Sequence, residues 1–171
     1  MNYTIRELTP DDAEAIIAYM KVLADEPNNG ITYSSADEFA WTLEQEREII
    51  QNFANAENSL WVVAEHEGRI VGSLHMVGGK RVTQHTAGLG ISVAREYRNR
   101  GIGTALLRFG IDWCAANPEI HRLELDVFMN NPRAIHVYEK LGFIREGIRR
   151  QAFYKEGRLL DGLIMAIVFD R

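Results

Sequence analysis

The chain has 171 residues, 46% hydrophobic and 25% charged, which makes one ordinary globular domain able to bury a core without staples and without any signature of disorder. A net charge of −5 argues against a partner held through a phosphate backbone, so no nucleic acid is expected, and it suits an amine substrate. Cys114 is the only cysteine, which excludes an internal disulfide and a zinc cluster; it reads as core filler, and no metal is expected.

The opening Met1-Asn2-Tyr3-Thr4 lacks the charged-then-apolar start of a signal peptide, and no apolar run reaches the length of a membrane span. A cytoplasmic protein with no membrane partner is expected. Tyr3 to Glu7 alternates as a short strand. Thr9-Pro10-Asp11-Asp12 then opens a helix to about Ala24: Thr9 caps, Pro10 fits the first helical position, and Asp12 completes a capping box. Residues 25–37, rich in turn formers and charge, form a loop that can border a pocket. A second helix spans about Thr42 to Asn55, with Ile49, Ile50 and Phe53 on one face; Glu44, Glu46 and Glu48 are expected on a solvated face.

Trp61 to Glu65 and Arg69 to Val77 form two strands joined by His66-Glu67-Gly68. Leu89, Ile91 and Val93 alternate with small residues as a central strand, and Leu106, Phe109/Gly110 and Trp113 recur at helical spacing. Between them lies Arg98-Asn99-Arg100-Gly101-Ile102-Gly103-Thr104. Its glycines let the backbone approach a ligand, its amides open a helix whose dipole favours negative charge, and two arginines stand beside it. The chemistry asks for a phosphate or a diphosphate. The nucleoside-triphosphate loop fits poorly because no Lys-Ser or Lys-Thr follows the glycines, and the dinucleotide fingerprint because Leu106 stands where its third glycine belongs, which leaves a nucleotide-binding protein as a third reading.

From Leu123 the chain runs through an alternating strand, an Asn-Asn-Pro turn, a helix from about Arg133 to Lys140, and Leu141-Gly142-Phe143. Strands over residues 147–154 and 159–168 follow, around the turn Lys155-Glu156-Gly157-Arg158. The order is strand, two helices, three strands, helix, strand, helix, two strands. It predicts one α/β domain over residues 1–171, with a single mixed, mostly antiparallel sheet of six to seven strands and helices on both faces.

The turn R-x-x-G-x-G after a strand, followed by N-x-x-A-x-x-x-Y-E-K-L-G-F over residues 131–143, resembles the GNAT acetyltransferase superfamily. The resemblance implies acetyl-CoA as co-substrate and direct transfer of acetyl to a primary amine. It implies that the strands around residues 88–93 and 122–128 splay apart and that the pantetheine arm lies between them along Ile91, Ser92 and Val93. The diphosphate would meet Arg98, Asn99, Arg100, Gly101, Ile102, Gly103 and Thr104, with Asn131, Ala134 and Tyr138 also against the carrier.

Tyr138 would be the general acid, since a phenol with a pKa near ~10 keeps its proton at neutral pH; otherwise it is one more aromatic in a core stripe. For the base, alternation places Glu124 and Asp126 on one strand face, and Asp126 lies where the ribosomal-protein alanine acetyltransferases of the superfamily carry theirs. The alternative is an acid paired with Arg149; His75, His85 and a water relay stay open. The acceptor is a free amino acid, met by Arg149 or Arg150, or a polyamine, met by acidic residues of the 25–48 region; a protein N-terminus is the other enzymatic reading. A non-catalytic acyl-CoA sensor is the rival of another class. The C-terminal hairpin leaves exposed edges on which a homodimer can form.

Overall fold

The computed structural model describes residues 2–170. Strand β1 (Thr4–Glu7) leads through a 3-10 turn at Pro10–Asp12 into α1 (Ala13–Ala24), and a second 3-10 turn at Ala36–Glu38 precedes α2 (Leu43–Asn55). Then come β2 (Leu60–His66), β3 (Arg69–Gly78), β4 (Thr86–Val93), α3 (Ile102–Ala116), β5 (Arg122–Phe128), α4 (Pro132–Lys140), β6 (Ile144–Lys155) and β7 (Arg158–Val168). The expected order of elements holds. The helices begin where the sequence signals it: Thr9 and Asp12 cap each other reciprocally, as do Thr42 and Gln45, and the Asn131 side chain caps α4 by accepting from the Ala134 N–H at 3.2 Å.

All strands join one sheet in the order β1-β2-β3-β4-β5-β7-β6, antiparallel except for the β4–β5 pair. That parallel pair needs a crossover, and α3 supplies it. One face of the sheet carries α3 and α4: Leu74 and Met76 pack there with Leu106, Leu107, Cys114 and Tyr138. The other face carries α1 and α2, where Ile16, Tyr19 and Leu23 meet Ile50 and Val63. A fully buried side chain such as Leu106 or Leu74 contributes about 1.5–3 kcal/mol of transfer free energy.

The buried stripe of α3 is Ile102, Leu106, Leu107, Gly110 and Cys114, while Phe109 turns outward and is 38% exposed. Gly110 explains the choice, because a Cβ there would stand 3.2 Å from Leu74 Cδ2 and 3.3 Å from Met76 Sδ. The helix lies flat on β3 through the glycine, and Phe109 is rotated away. Cys114 is buried with its thiol 3.6 Å from the Met76 sulfur.

Where β4 meets β5 the sheet opens. Their ladder has only three rungs, Thr86 to Arg122, Ala87 to Leu123 and Gly88 to Glu124. Beyond Gly88 and Glu124, β4 stays paired with β3 as far as Val93, and β5 with β7 as far as Phe128. Each strand therefore keeps its outer neighbour and loses its inner one, which is the splay expected between residues 88–93 and 122–128.

Candidate active site

The turn after β4 is built to present backbone donors. A 3-10 turn at Arg95–Tyr97 carries the chain off the strand, and Asn99 (φ 64°) and Gly101 (φ 82°) both take left-handed conformations before α3 begins. Gly101 caps that helix with no side chain, and the first closing bond runs from the Ala105 N–H to the Gly101 carbonyl at 2.9 Å. The amides before Ala105 point out of the helix end with no intrahelical acceptor. No acidic residue stands in the first turn of α3, so its positive end is uncompensated.

The two arginines of the turn divide their work. Arg98 donates Nε to the Val93 carbonyl at 2.9 Å and pairs with Glu26 of the loop after α1; it locks that loop to the end of β4. Arg100 lies over the Tyr97 ring, 5.6 Å from its centroid.

From this turn a cavity of about 1240 Å³ runs through the gap between β4 and β5 to the α1/α2 face. Ile91, Ser92 and Val93 line it from β4, Arg98, Asn99, Gly101, Ile102, Gly103 and Thr104 from the turn, Asp126 from β5, and Asn131, Ala134 and Tyr138 from α4. Arg100 and Glu124 are not on its wall. Tyr138 is 8% exposed, its ring edge-on to Phe143 at 5.6 Å, and burial pushes its phenol up to about 12. Among the described residues no group hydrogen-bonds the Tyr138 hydroxyl.

Comparison with known proteins decides what this geometry belongs to. Residues 25–143 match the family model described as the acetyltransferase (GNAT) family. The chain belongs to the GNAT acetyltransferase family. It is on that ground an N-acetyltransferase. It is 37% identical over 108 residues to the L-amino acid N-acetyltransferase AaaT of Escherichia coli, covering 63% of this chain and 67% of that one. Its fold superposes with a TM-score of 0.93 on a GNAT-family acetyltransferase of Streptococcus pneumoniae, 28% identical, covering 99% of this chain and 100% of the other. The same fold recurs, at 20% identity and a TM-score of 0.86, in yncA of Salmonella typhimurium, solved with its cofactor acetyl-CoA; there the match covers 100% of this chain and 96% of that one.

The acetyltransferase holds its sequence-nominated bases in ion pairs. Asp126 is paired with Arg149, whose guanidinium also lies 5.7 Å from the Phe153 ring centroid. Glu124 accepts from Arg122 at 2.7 Å, and Arg122 pairs in turn with Glu146, whose carboxyl it holds below the usual value. His85 stands 6.3 Å from His121, ring to ring, and does not line the cavity; Arg149 lines it and Arg150 does not.

Glu46 escapes the sequence reading. Glu46 was expected on a solvated face with Glu44 and Glu48; those two are exposed, but Glu46 is buried at 1% and lines the cavity. The signal was its spacing, three and four residues before Ile49 and Ile50, on the apolar face of α2. His75 lines the same region, accessible from the cavity yet enclosed enough for desolvation to lower its pKa.

Lys155, expected in a turn, is the last residue of β6 and is 7% exposed. Its ammonium donates to Asn29 Oδ1 and to the carbonyls of Ile31 and Tyr33 at 2.5–2.7 Å. Three donors meet three acceptors, so the loop after α1 is pinned to the C-terminal hairpin and walls the cavity, as the sequence reading anticipated for that loop.

Proposed function

We propose that this acetyltransferase moves the acetyl group of acetyl-CoA to the primary amine of a small molecule by direct attack within a ternary complex. The observation that carries the reading is the gap beyond Gly88 and Glu124, which opens onto the uncapped N-terminus of α3 and is flanked by Tyr138. A diphosphate fits the amides of the Arg98–Thr104 turn, where charge-assisted bonds to a helix end are favourable. Gly103 fits a close approach, since a Cβ there would meet only Val93 Cγ2, at 3.5 Å, leaving its outer side open. The pantetheine arm takes the place of the missing ladder between β4 and β5, using main-chain groups of Ile91 to Val93.

Tyr138 then supplies the proton for the departing thiolate. Its unpartnered hydroxyl on the cavity wall supports catalysis over a mere acyl-CoA sensor, because a structural tyrosine buried this deeply normally finds a partner for its hydroxyl. A small acceptor is favoured over a protein N-terminus by the pinned loop at residues 28–33, which walls the acceptor side. An L-amino acid is the first acceptor to test: AaaT acts on such substrates by its name, and Arg149 on the cavity wall offers a guanidinium to a carboxylate. Asp126 then serves by orienting Arg149.

Two measurements test this. Coenzyme A should raise the unfolding temperature, whereas ATP and NAD should not. Thiol release from acetyl-CoA should appear with members of a panel of amino acids, monoamines and polyamines. No protection by coenzyme A, or protection without turnover on any amine, would overturn the proposal.

A further inference from the structure

A carboxyl group withdrawn from water without a partner is costly, more so when charged. Glu46 is in that state. Its Oε1 is buried with no hydrogen-bond partner, and no ion pair of the described residues includes it. The helix that carries it is well capped and packs on α1 and β2, so the position is imposed by α2 itself.

The cavity that Glu46 lines also carries aromatic faces. On the sheet face that α2 covers, Trp61, His75 and Gly90 form one cross-strand row, and Val63, Ser73 and Ser92 the next. Phe53 of α2 packs on both rings of the first row, 5.1 Å from Trp61 and 6.4 Å from His75. The indole N–H is spent on Ser73 Oγ at 2.9 Å, which leaves Trp61 only its π surface to offer. Gly90 keeps the floor open, for a Cβ there would lie 2.4 Å from the His75 ring. Aromatic faces and an acid lining one cavity favour a cation over a phosphate. The cations that line the cavity are committed elsewhere or belong to its other parts: Arg98 to Glu26, Arg149 to Asp126, Lys155 to three oxygens.

We infer that Glu46, which shares the cavity wall with Phe53, Trp61 and His75, is the receptor for the ammonium group of the acceptor and the first base to take its proton. This deepens the N-acetyltransferase reading and rests on it for the acetyl step. The Glu46 carboxylate takes one proton from R–NH3+. The freed nitrogen bonds to the thioester carbon, the C–S bond breaks, and the thiolate takes the phenolic proton of Tyr138. The second nitrogen proton restores the phenol through water, and the proton on Glu46 leaves to solvent. One ammonium and one thioester give one amide, one thiol and one proton. Burial raises the Glu46 carboxyl above its ordinary value, which makes it a stronger proton acceptor than an exposed glutamate.

Glu46→Gln tests this, because it keeps the shape and removes the charge. Spermidine, L-leucine and n-butylamine are titrated with coenzyme A present, following the fluorescence of the cavity tryptophans, and thiol release is measured on the same panel. The variant should keep its unfolding temperature and its affinity for coenzyme A, bind the preferred amine at least tenfold more weakly, and lose at least a hundredfold in kcat/KM for it; Glu46→Asp should recover part of both. Equal amine affinity and equal kcat/KM in Glu46→Gln would overturn the inference and leave the acetyltransferase reading standing. Amine binding that depends on Glu46, without turnover in the unaltered protein, would do the reverse. No amine binding in the unaltered protein would remove both.

Discussion

Replacing Tyr138 by phenylalanine deletes one oxygen and tests the acid step alone. The hydroxyl has no hydrogen-bond partner among the described residues, so its removal leaves nothing unsatisfied, and stability should change by no more than about 0.5 kcal/mol. The ring keeps its edge-on contact with Phe143, and α4 keeps its Asn131 cap. Coenzyme A binding measured by calorimetry should therefore be unchanged. A positioned general acid contributes about 10²–10⁴-fold, equivalent to roughly 2.7–5.4 kcal/mol in the barrier, and kcat should fall by that factor.

The pH profile supplies a second check. An acid is lost as pH rises through its folded pKa, and burial holds this phenol near 12. At saturating amine, thiol release by the unaltered protein should show no descending limb from this phenol below about pH 10. Thiol release by Tyr138→Phe within threefold of the unaltered rate, with coenzyme A bound normally, would refute the assignment.

Gly90→Ala should damage the acceptor side and spare the carrier side. The added Cβ meets the His75 imidazole, which Phe53 and Trp61 hem in, and overpacking of this kind costs about 1–3 kcal/mol. At roughly 2–4 °C per kcal/mol for a chain this size, thermal unfolding should show a drop of about 2–12 °C, together with a raised acceptor KM; an unchanged unfolding temperature would show that His75 swings aside freely. At the other end of the chain, Arg6 beside Asp12 holds that carboxyl down to about 2. A depressed carboxylate stabilises the fold above its unfolded pKa and loses that contribution as pH falls through the folded one. The nominal value is about 2 kcal/mol, reduced to about 1 kcal/mol by solvent at this partly exposed pair. Asp12→Asn keeps an acceptor for the Thr9 N–H, so urea unfolding should show it weaker than the unaltered protein at pH 7 by that amount and nearly equal to it at pH 2.

The two halves of the site were not equally legible in the sequence, and the reason is where their atoms come from. The carrier side is made of main chain: a strand that loses a neighbour, a turn with left-handed Asn99 and Gly101, a helix start. Such features depend on residues adjacent in the chain, so the spacing of arginines and glycines displayed them. The acceptor side is made of side chains whose partners lie far away. Arg98 meets Glu26, and Lys155 reaches the carbonyls of residues 31 and 33. Local pattern carries no record of such pairings, which is why Lys155 read as a turn residue and Arg98 only as a partner for the diphosphate.

Glu46 falls between the two cases and shows how the boundary can be moved. An acidic run has the composition of a solvated surface, yet helical phase puts Glu46 with Ile49, Ile50 and Phe53 and turns Glu44 and Glu48 outward. Composition averages over a helix, whereas phase assigns each residue a side. A lone carboxyl in phase with an apolar stripe must distort the docking of that helix, hold a proton or meet a cation at the interface. Here α2 docks with Ile50 fully buried and Glu46 on the cavity wall, where the ammonium of the proposed acceptor would supply that cation.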